Sequence, residues 1–215
     1  MFHWLVEFDQ KAFLYLNGMH SSEWDFIMWW VTGNKLWIPL YAFILFMMIY
    51  RERSYRFIFI ILFVIVTVFL CDQISVIIKN LVERPRPSHN PDIADLVHIV
   101  NNYRGEKFGF VSSHAANVFG VAVFLSNQFK HYKWSLVLLG WAALVAYSRI
   151  YLGVHYPLDV ICGAVLGVLI GIQCYVFKIW TTVYVERYFD DRKAKRRRNE
   201  TIKKKNKYEQ AMENK

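Results

Sequence analysis

The sequence predicts an all-α bundle built into a membrane, with about five spanning helices and an N-terminal helix lying on the surface. Three observations carry this reading. Of 215 residues, 55% are hydrophobic and 18% aromatic. The apolar residues collect in runs approaching twenty, the length that crosses a bilayer. The charges collect in short breaks between those runs and in a C-terminal tail, which dilutes the mean hydropathy to +0.21.

The elements follow in order. In residues 1–18, Phe2, Leu5, Val6, Phe13 and Leu16 fall on one helical face, with Glu7, Gln10, Lys11 and Asn17 on the other. That pattern suits an interfacial helix. Glu7 and Asp9, with no basic opening, argue against a cleaved signal peptide. Trp24–Thr32 is rich in aromatics that favour the headgroup level. Gly33-Asn34-Lys35 breaks it, and Leu36–Tyr50 is the first span, short unless the preceding turn joins it. Phe57–Ile78 is the second, with Asp72 its only ionised side chain. His114–Phe129, Trp134–Arg149 and Pro157 to about Trp180 are the third, fourth and fifth. Residues 1–185 therefore read as the membrane-embedded domain and 186–215 as a basic cytoplasmic tail.

Charge sets the expected orientation. Arg51–Arg56 carries three arginines and one glutamate, Lys130–Lys133 two lysines, and Glu186–Lys215 twelve basic against six acidic residues. Alternation over five spans puts all three on one side, and the excess of Lys and Arg makes that side cytoplasmic. The tail supplies six of the nine net positive charges. It reads as a solvated segment that fixes topology and touches anionic lipid, with no nucleic-acid partner implied. Cys71, Cys162 and Cys174 lie in apolar runs and read as packing residues, and no Cys/His spacing suggests a metal site.

Between the last two spans lies Ser148–Asp159, Ser-Arg-Ile-Tyr-Leu-Gly-Val-His-Tyr-Pro-Leu-Asp. An arginine at a membrane edge is costly and is usually functional or paired. His155 and Asp159 are one helical turn apart, so the carboxylate can orient the ring and free its other nitrogen. Arg149 offers a planar fork that matches a phosphate. The alternative is an arginine that snorkels and a histidine that packs. Two further polar clusters fall at the same membrane edge. They are Lys79 to Arg86-Pro87 after the second span and Ser112-Ser113-His114 before the third.

In this order, Lys79–x6–Arg86-Pro87, Ser112-Ser113-His114 and Ser148-Arg149–x5–His155–x3–Asp159 resemble the three signature motifs of the type 2 phosphatidic acid phosphatase (PAP2) superfamily. That family also includes vanadium-dependent haloperoxidases and soluble acid phosphatases. The second motif departs from the usual Pro-Ser-Gly-His, with Val111 and Ser113 at the proline and glycine positions. The resemblance implies a metal-independent phosphatase with no cofactor. Lys79, Arg86 and Arg149 would bind the phosphate oxygens, with Ser112 capping the third span so that the N–H groups of Ser113 and His114 face the anion. His155 would form a phosphohistidine, Asp159 would hold its tautomer, and His114 would serve as acid and then base.

Among the remaining polar residues, Asp72 reads as an ion-pair partner of Lys79. Arg84 reads as a contact to a headgroup or the loop backbone. His89, His98 and His131 read as surface histidines, and Asn117 either holds the His114 ring or packs. The Ser88–Phe110 loop has the length of a lid, with a short amphipathic piece at Ile93–Val100. The reading that follows is a bacterial inner-membrane phosphatase acting on a lipid phosphate or pyrophosphate at the periplasmic face. The candidate substrates are undecaprenyl pyrophosphate, lipid A, and a glycerophospholipid such as phosphatidylglycerol phosphate or phosphatidic acid. The alternative is a non-catalytic lipid-phosphate binding or transport protein on the same fold. A haloperoxidase is disfavoured by membrane embedding.

The charge distribution makes a prediction. A cysteine placed in the Ser88–Phe110 loop should react with an impermeant maleimide in intact spheroplasts, and one beyond Arg198 only after lysis. The opposite labelling would invert the topology.

Overall fold

The structure is a computed structural model; it describes residues 3–52 and 55–213, and only the backbone of residues 34, 204–211 and 213. The fold is all-α, with no strand among the described residues. Seven helices follow in order: α1 (His3–Asn17), α2 (Ser22–Thr32), α3 (Ile38–Arg51), α4 (Arg56–Val82), α5 (Ser113–Phe129), α6 (Tyr132–Tyr151) and α7 (Pro157–Glu213). Arg53, counted above in the first basic loop, lies outside the described residues.

Local chemistry sets the helix ends. The Ser21 hydroxyl accepts from the Trp24 N–H and caps α2. Glu83 ends α4 and Lys130 ends α5, each in the left-handed conformation. Pro157 opens α7, where its missing N–H costs nothing.

The helices α3 to α7 stand where five spans were expected. By length and composition, α4, α6 and the first part of α7 can each cross a membrane, and α2 with α3 forms a bent fourth candidate. The 14-residue α3 does not reach across alone, because Gly33 closes α2 before it. The 17-residue α5 is enclosed instead. Ala115, Ala116, Ala122, Phe124 and Leu125 are all buried against its neighbours. By contrast α4 leaves Ile58, Leu62, Ile65, Phe69 and Ile77 exposed, a face suited to lipid and costly in water.

The chain divides into two compact units, Met1–Tyr175 and Val176–Lys215. The second is the C-terminal stretch of α7, exposed at every residue from Arg187 to Lys203. Within it the Arg192 guanidinium lies 4.8 Å from the Tyr188 ring centre.

The tightest contact in the first unit joins α5 to the start of α7. Gly163, Gly167 and Gly171 are spaced four apart and line one face. A methyl group on Gly167 would lie 2.2 Å from the Ala116 carbonyl oxygen. On Gly163 it would lie 2.5 Å from that of Ser112, and on Gly171 2.5 Å from that of Gly120. The two backbones therefore touch, and only glycine permits the approach.

The N-terminal helix leaves Trp4, Val6, Phe8 and Tyr15 exposed, a surface suited to lipid, and buries Asp9, Phe13 and Asn17 against the protein. Tertiary hydrogen bonds hold its polar residues inside. The Asn17 amide donates to the carbonyls of His98 and Tyr151 at 3.1 and 2.8 Å and accepts from the His98 N–H at 2.8 Å. Neither partner is near in sequence.

Gly167→Val should lower the thermal midpoint in detergent and cost roughly 1–3 kcal/mol by overpacking. Gly140→Ala, where nothing lies within 4 Å of the added carbon, should leave it in place.

Candidate active site

Four helix ends and one loop meet above the α5–α7 contact. Lys79 comes from the last turn of α4, Arg86 from the loop that follows, and Ser112-Ser113-His114 from the start of α5. Arg149 comes from the last turn of α6, His155 from the turn before α7, and Asp159 from the first turn of α7. Every residue expected in the site is brought into this one cluster. Lys79, Arg86, Ser112, Ser113, Arg149, His155 and Asp159 are all buried; His114 is half-buried.

The backbone first fixes the two catalytic-type elements to each other. The Ser112 N–H donates to the Asp159 carbonyl at 2.9 Å, and the Ser112 hydroxyl accepts from the Ala115 N–H, capping α5 as expected. Ser113 sits beneath Lys79. Its hydroxyl bonds the Lys79 ammonium and lies 2.7 Å from the Ser75 hydroxyl. Lys79 was expected to pair with Asp72; among the described residues Asp72 makes no ion pair, because the Lys79 side chain turns toward α5.

Arg86 is held by its own strand of loop. Its N–H donates to the Lys107 carbonyl, and the Gly109 N–H returns to Arg84. The Arg86 Nε and Nη1 donate to the carbonyls of Phe108 and Val154 at 3.1 and 3.3 Å. Nη1 also lies 3.2 Å from the Nε2 of His155. A guanidinium can only donate, so Nε2 presents its lone pair and Nδ1 carries the proton. Nδ1 lies 3.5 Å from the Asp159 carboxylate, an ion-pair separation that is long for a hydrogen bond. Burial holds His155 well below its ordinary pKa, and the charges of Arg86, Arg149 and Lys79 push the same way. The ring is therefore neutral and its Nε2 unprotonated.

Arg149 is 3% exposed. It donates to the Thr32 hydroxyl at 2.7 Å and the Tyr103 hydroxyl at 3.4 Å. Among the described residues its Nε has no partner. Lys79, Arg86 and Arg149 have no carboxylate within 4 Å among the described residues, so three buried cations lie together without a direct ion pair. No three His, Cys, Asp or Glu side chains among the described residues converge as a metal-binding group.

The sequence reading missed several residues here. Arg84, expected at a headgroup or the loop backbone, instead bridges two buried carboxylates, Asp9 at 2.7 Å and Asp159 at 2.9 Å. Its proximity to Arg86 in an Arg-Pro-Arg-Pro run was the available signal. Gly109 packs against the pair, since a methyl there would lie 3.1 Å from both Arg86 and Asp159. Thr32 and Tyr103 hold Arg149, and nothing local in the sequence marked them. His98, expected as a surface histidine, bonds Asp25 at 2.8 Å and stacks on His20 with ring centres 3.7 Å apart. The amphipathic piece Ile93–Val100 holds a 3-10 turn, Ala94–Leu96, with Ile93 and Val100 as its buried anchors. Asn117 does not hold the His114 ring; its Oδ1 is buried without a partner among the described residues.

A cavity of about 550 Å³ opens beside His114. Thr32, His114 and Asn117 form its polar end. Its wall is apolar, with Met48, Val64, Val68, Val121 and Trp141 contributed by α3 to α6.

A membrane-embedded helical bundle with histidines, cations and a carboxylate at one mouth defines a class of enzyme, and similarity to known proteins specifies it. The PAP2 superfamily profile matches residues 57–182, and the chain belongs to that superfamily. It is 41% identical over 170 residues to a lipid A 4'-phosphatase of Bacteroides thetaiotaomicron, covering 78% of this chain and 75% of the relative. A lipid A 4'-phosphatase of Porphyromonas gingivalis is 36% identical over 182 residues, covering 82% and 75%. The crystal structure of a transmembrane PAP2-type phosphatidylglycerolphosphate phosphatase from Bacillus subtilis shares the fold at a TM-score of 0.61 and 22% identity, covering 81% of this chain and 86% of that one. The reading of the chain as a lipid phosphate phosphatase agrees with the names of these relatives.

The neutral state of His155 predicts a pH effect on stability. Its folded-state pKa lies below the unfolded value of about 6.5, so the unfolded chain takes up the proton first and stability falls as pH drops through that value. Thermal midpoints in detergent should show this loss, and His155→Gln should show less of it.

Proposed function

We propose that the protein removes the 4'-phosphate of lipid A at the periplasmic face of a bacterial inner membrane, through a phosphohistidine intermediate and without a metal ion. The observation that carries the chemistry is the His155 ring, sealed from water, neutral, with its Nε2 lone pair turned to the Arg86 guanidinium. A phosphate entering among Lys79, Arg86 and Arg149 would take the charge these groups lack, and Arg149 Nε adds an unused donor. The lone pair of Nε2 attacks phosphorus, the P–N bond forms, and the bond to the lipid oxygen breaks. His114 gives its proton to the leaving oxygen. It then takes a proton from the water that attacks phosphorus, breaking P–N and releasing phosphate. Asp159 keeps the proton on Nδ1 and stabilises the ring as it gains positive charge.

The apolar cavity ending at His114 supports a lipid leaving group, since an acyl chain could stay among α3 to α6 while the phosphate reaches the cations. The choice of lipid A rests on the two relatives of that name, each matched over three quarters of its length. The periplasmic assignment rests on the excess of Lys and Arg in the loops and tail, which favours the cytoplasmic side for them. The membrane domain and basic tail are proposed to divide near residue 185, where the charged sequence begins.

The test is phosphate release from bisphosphorylated lipid A in detergent micelles containing EDTA. His155→Ala is expected to fall to background while eluting as folded protein, and His114→Ala to lose about 10²–10⁴-fold in kcat. Turnover by His155→Ala near the wild-type rate would remove the proposed nucleophile.

A further inference from the structure

The N-terminal helix, expected to lie on the membrane surface, sends a carboxylate into the protein. Asp9 is 1% exposed and is the first residue of a buried chain of charges. One of its oxygens accepts from the Arg84 Nη2 at 2.7 Å and the other from the Leu158 N–H at 2.9 Å. Through Nη1, Arg84 reaches the Asp159 carboxylate at 2.9 Å. The other Asp159 oxygen accepts from the Tyr156 N–H at 3.0 Å and faces His155 Nδ1. The Arg84 guanidinium lies 4.0 Å from the Tyr156 ring centre, and the Tyr156 hydroxyl takes a bond from the Asn90 amide. Arg84 is thus clamped on its face and at both ends.

We propose that Asp9 is a positioning residue of the active centre, acting through Arg84 on Asp159 so that this buried group keeps one net negative charge beside His155. The proposal rests on His155 as nucleophile. The charge count is simple. Two carboxylates and one guanidinium sum to minus one. Arg84 with Asp159 alone would sum to zero, and the guanidinium would then draw the Asp159 charge away from the imidazole. Asp9 neutralises Arg84 from its far side, so Asp159 still answers the positive charge the ring acquires when Nε2 bonds phosphorus. Asp9 also fixes the Leu158 N–H, one residue before Asp159, and so sets the start of α7. A staple holding α1 to the bundle would need neither the second carboxylate nor its alignment with the His155–Asp159 pair.

The experiment measures kcat and KM on bisphosphorylated lipid A in detergent micelles for Asp9→Asn, Arg84→Gln, the double variant and His155→Ala. Asp9→Asn keeps the shape and loses the charge. It should lower kcat by about 10–100-fold, as loss of the hydrogen-bonding partner behind a metal ligand does, with KM within about twofold of wild type. The double variant again carries one net negative charge, so its kcat should exceed that of Asp9→Asn. A purely structural staple predicts instead a lowered thermal midpoint with kcat near wild type in the protein that stays folded. Asp9→Asn within about twofold of wild type in kcat, or a double variant no better than Asp9→Asn, overturns the proposal. If Asp9→Asn does not yield folded protein, the comparison of Arg84→Gln with the double variant decides it. The double should be the more active, and equal or lower kcat overturns the proposal. His155→Ala separates the two readings. Activity in that variant removes the nucleophile itself, whereas an inactive His155→Ala beside a fully active Asp9→Asn removes only the role of Asp9.

Discussion

The contact between the backbones of α5 and α7 is the constraint on which the rest of the structure depends. Gly163, Gly167 and Gly171 let the start of α7 lie directly on the carbonyls of Ser112, Ala116 and Gly120. At that separation the Ser112 N–H reaches the Asp159 carbonyl. The N-terminus of α5 and the first turn of α7 are thereby fixed to each other before any side chain acts. Lipid gives no hydrophobic driving force for helix association, so close backbone packing of this kind does the work that an apolar core does in water. His114 and Asp159 inherit their relative positions from it.

Upon that frame sits an electrostatic imbalance. Lys79, Arg86 and Arg149 are buried together without a direct ion pair among the described residues, an arrangement whose desolvation is unfavourable. The fold meets it with carbonyls and hydroxyls: Phe108 and Val154 on Arg86, Thr32 and Tyr103 on Arg149, Ser113 on Lys79. These partners satisfy hydrogen bonds but leave the charge in place. The acidic side chains stand on the other side of His155, with Asp159 and Asp9 joined through Arg84. The imidazole thus divides a positive half-site from a negative one. Its neutral state follows from burial and from the cations it faces, and its tautomer from the fact that Arg86 can only donate.

The segments between helices do most of the positioning. Arg86 is set by a short antiparallel pairing of residues 84–86 with 107–109, and His98 anchors the long loop to Asp25 and Asn17. Arg149 depends on Thr32 at the end of α2, more than a hundred residues earlier. Loops carry the precision here because the helices only bring their ends to a common height in the membrane.

The sequence by itself determined the helices and the family. Apolar runs of spanning length located α4, α6 and α7. Three short motifs, read through their resemblance to the PAP2 signatures, singled out Lys79, Arg86, Ser112, Ser113, His114, Arg149, His155 and Asp159, because each motif lies within a dozen residues of chain. Tertiary structure alone decided which charges meet. Asp9 entered the sequence reading only as an acidic residue near the N-terminus, and Arg84 as a contact to a headgroup or the loop backbone. Their pairing with Asp159 spans 75 residues in each step, and no periodicity encodes a contact at that range. The glycine stripe was visible as letters, but its meaning depended on which helix lay opposite. Burial made the same distinction for Asn17: polar residues go inside only where the fold supplies their hydrogen-bond partners, and those partners are chosen by packing.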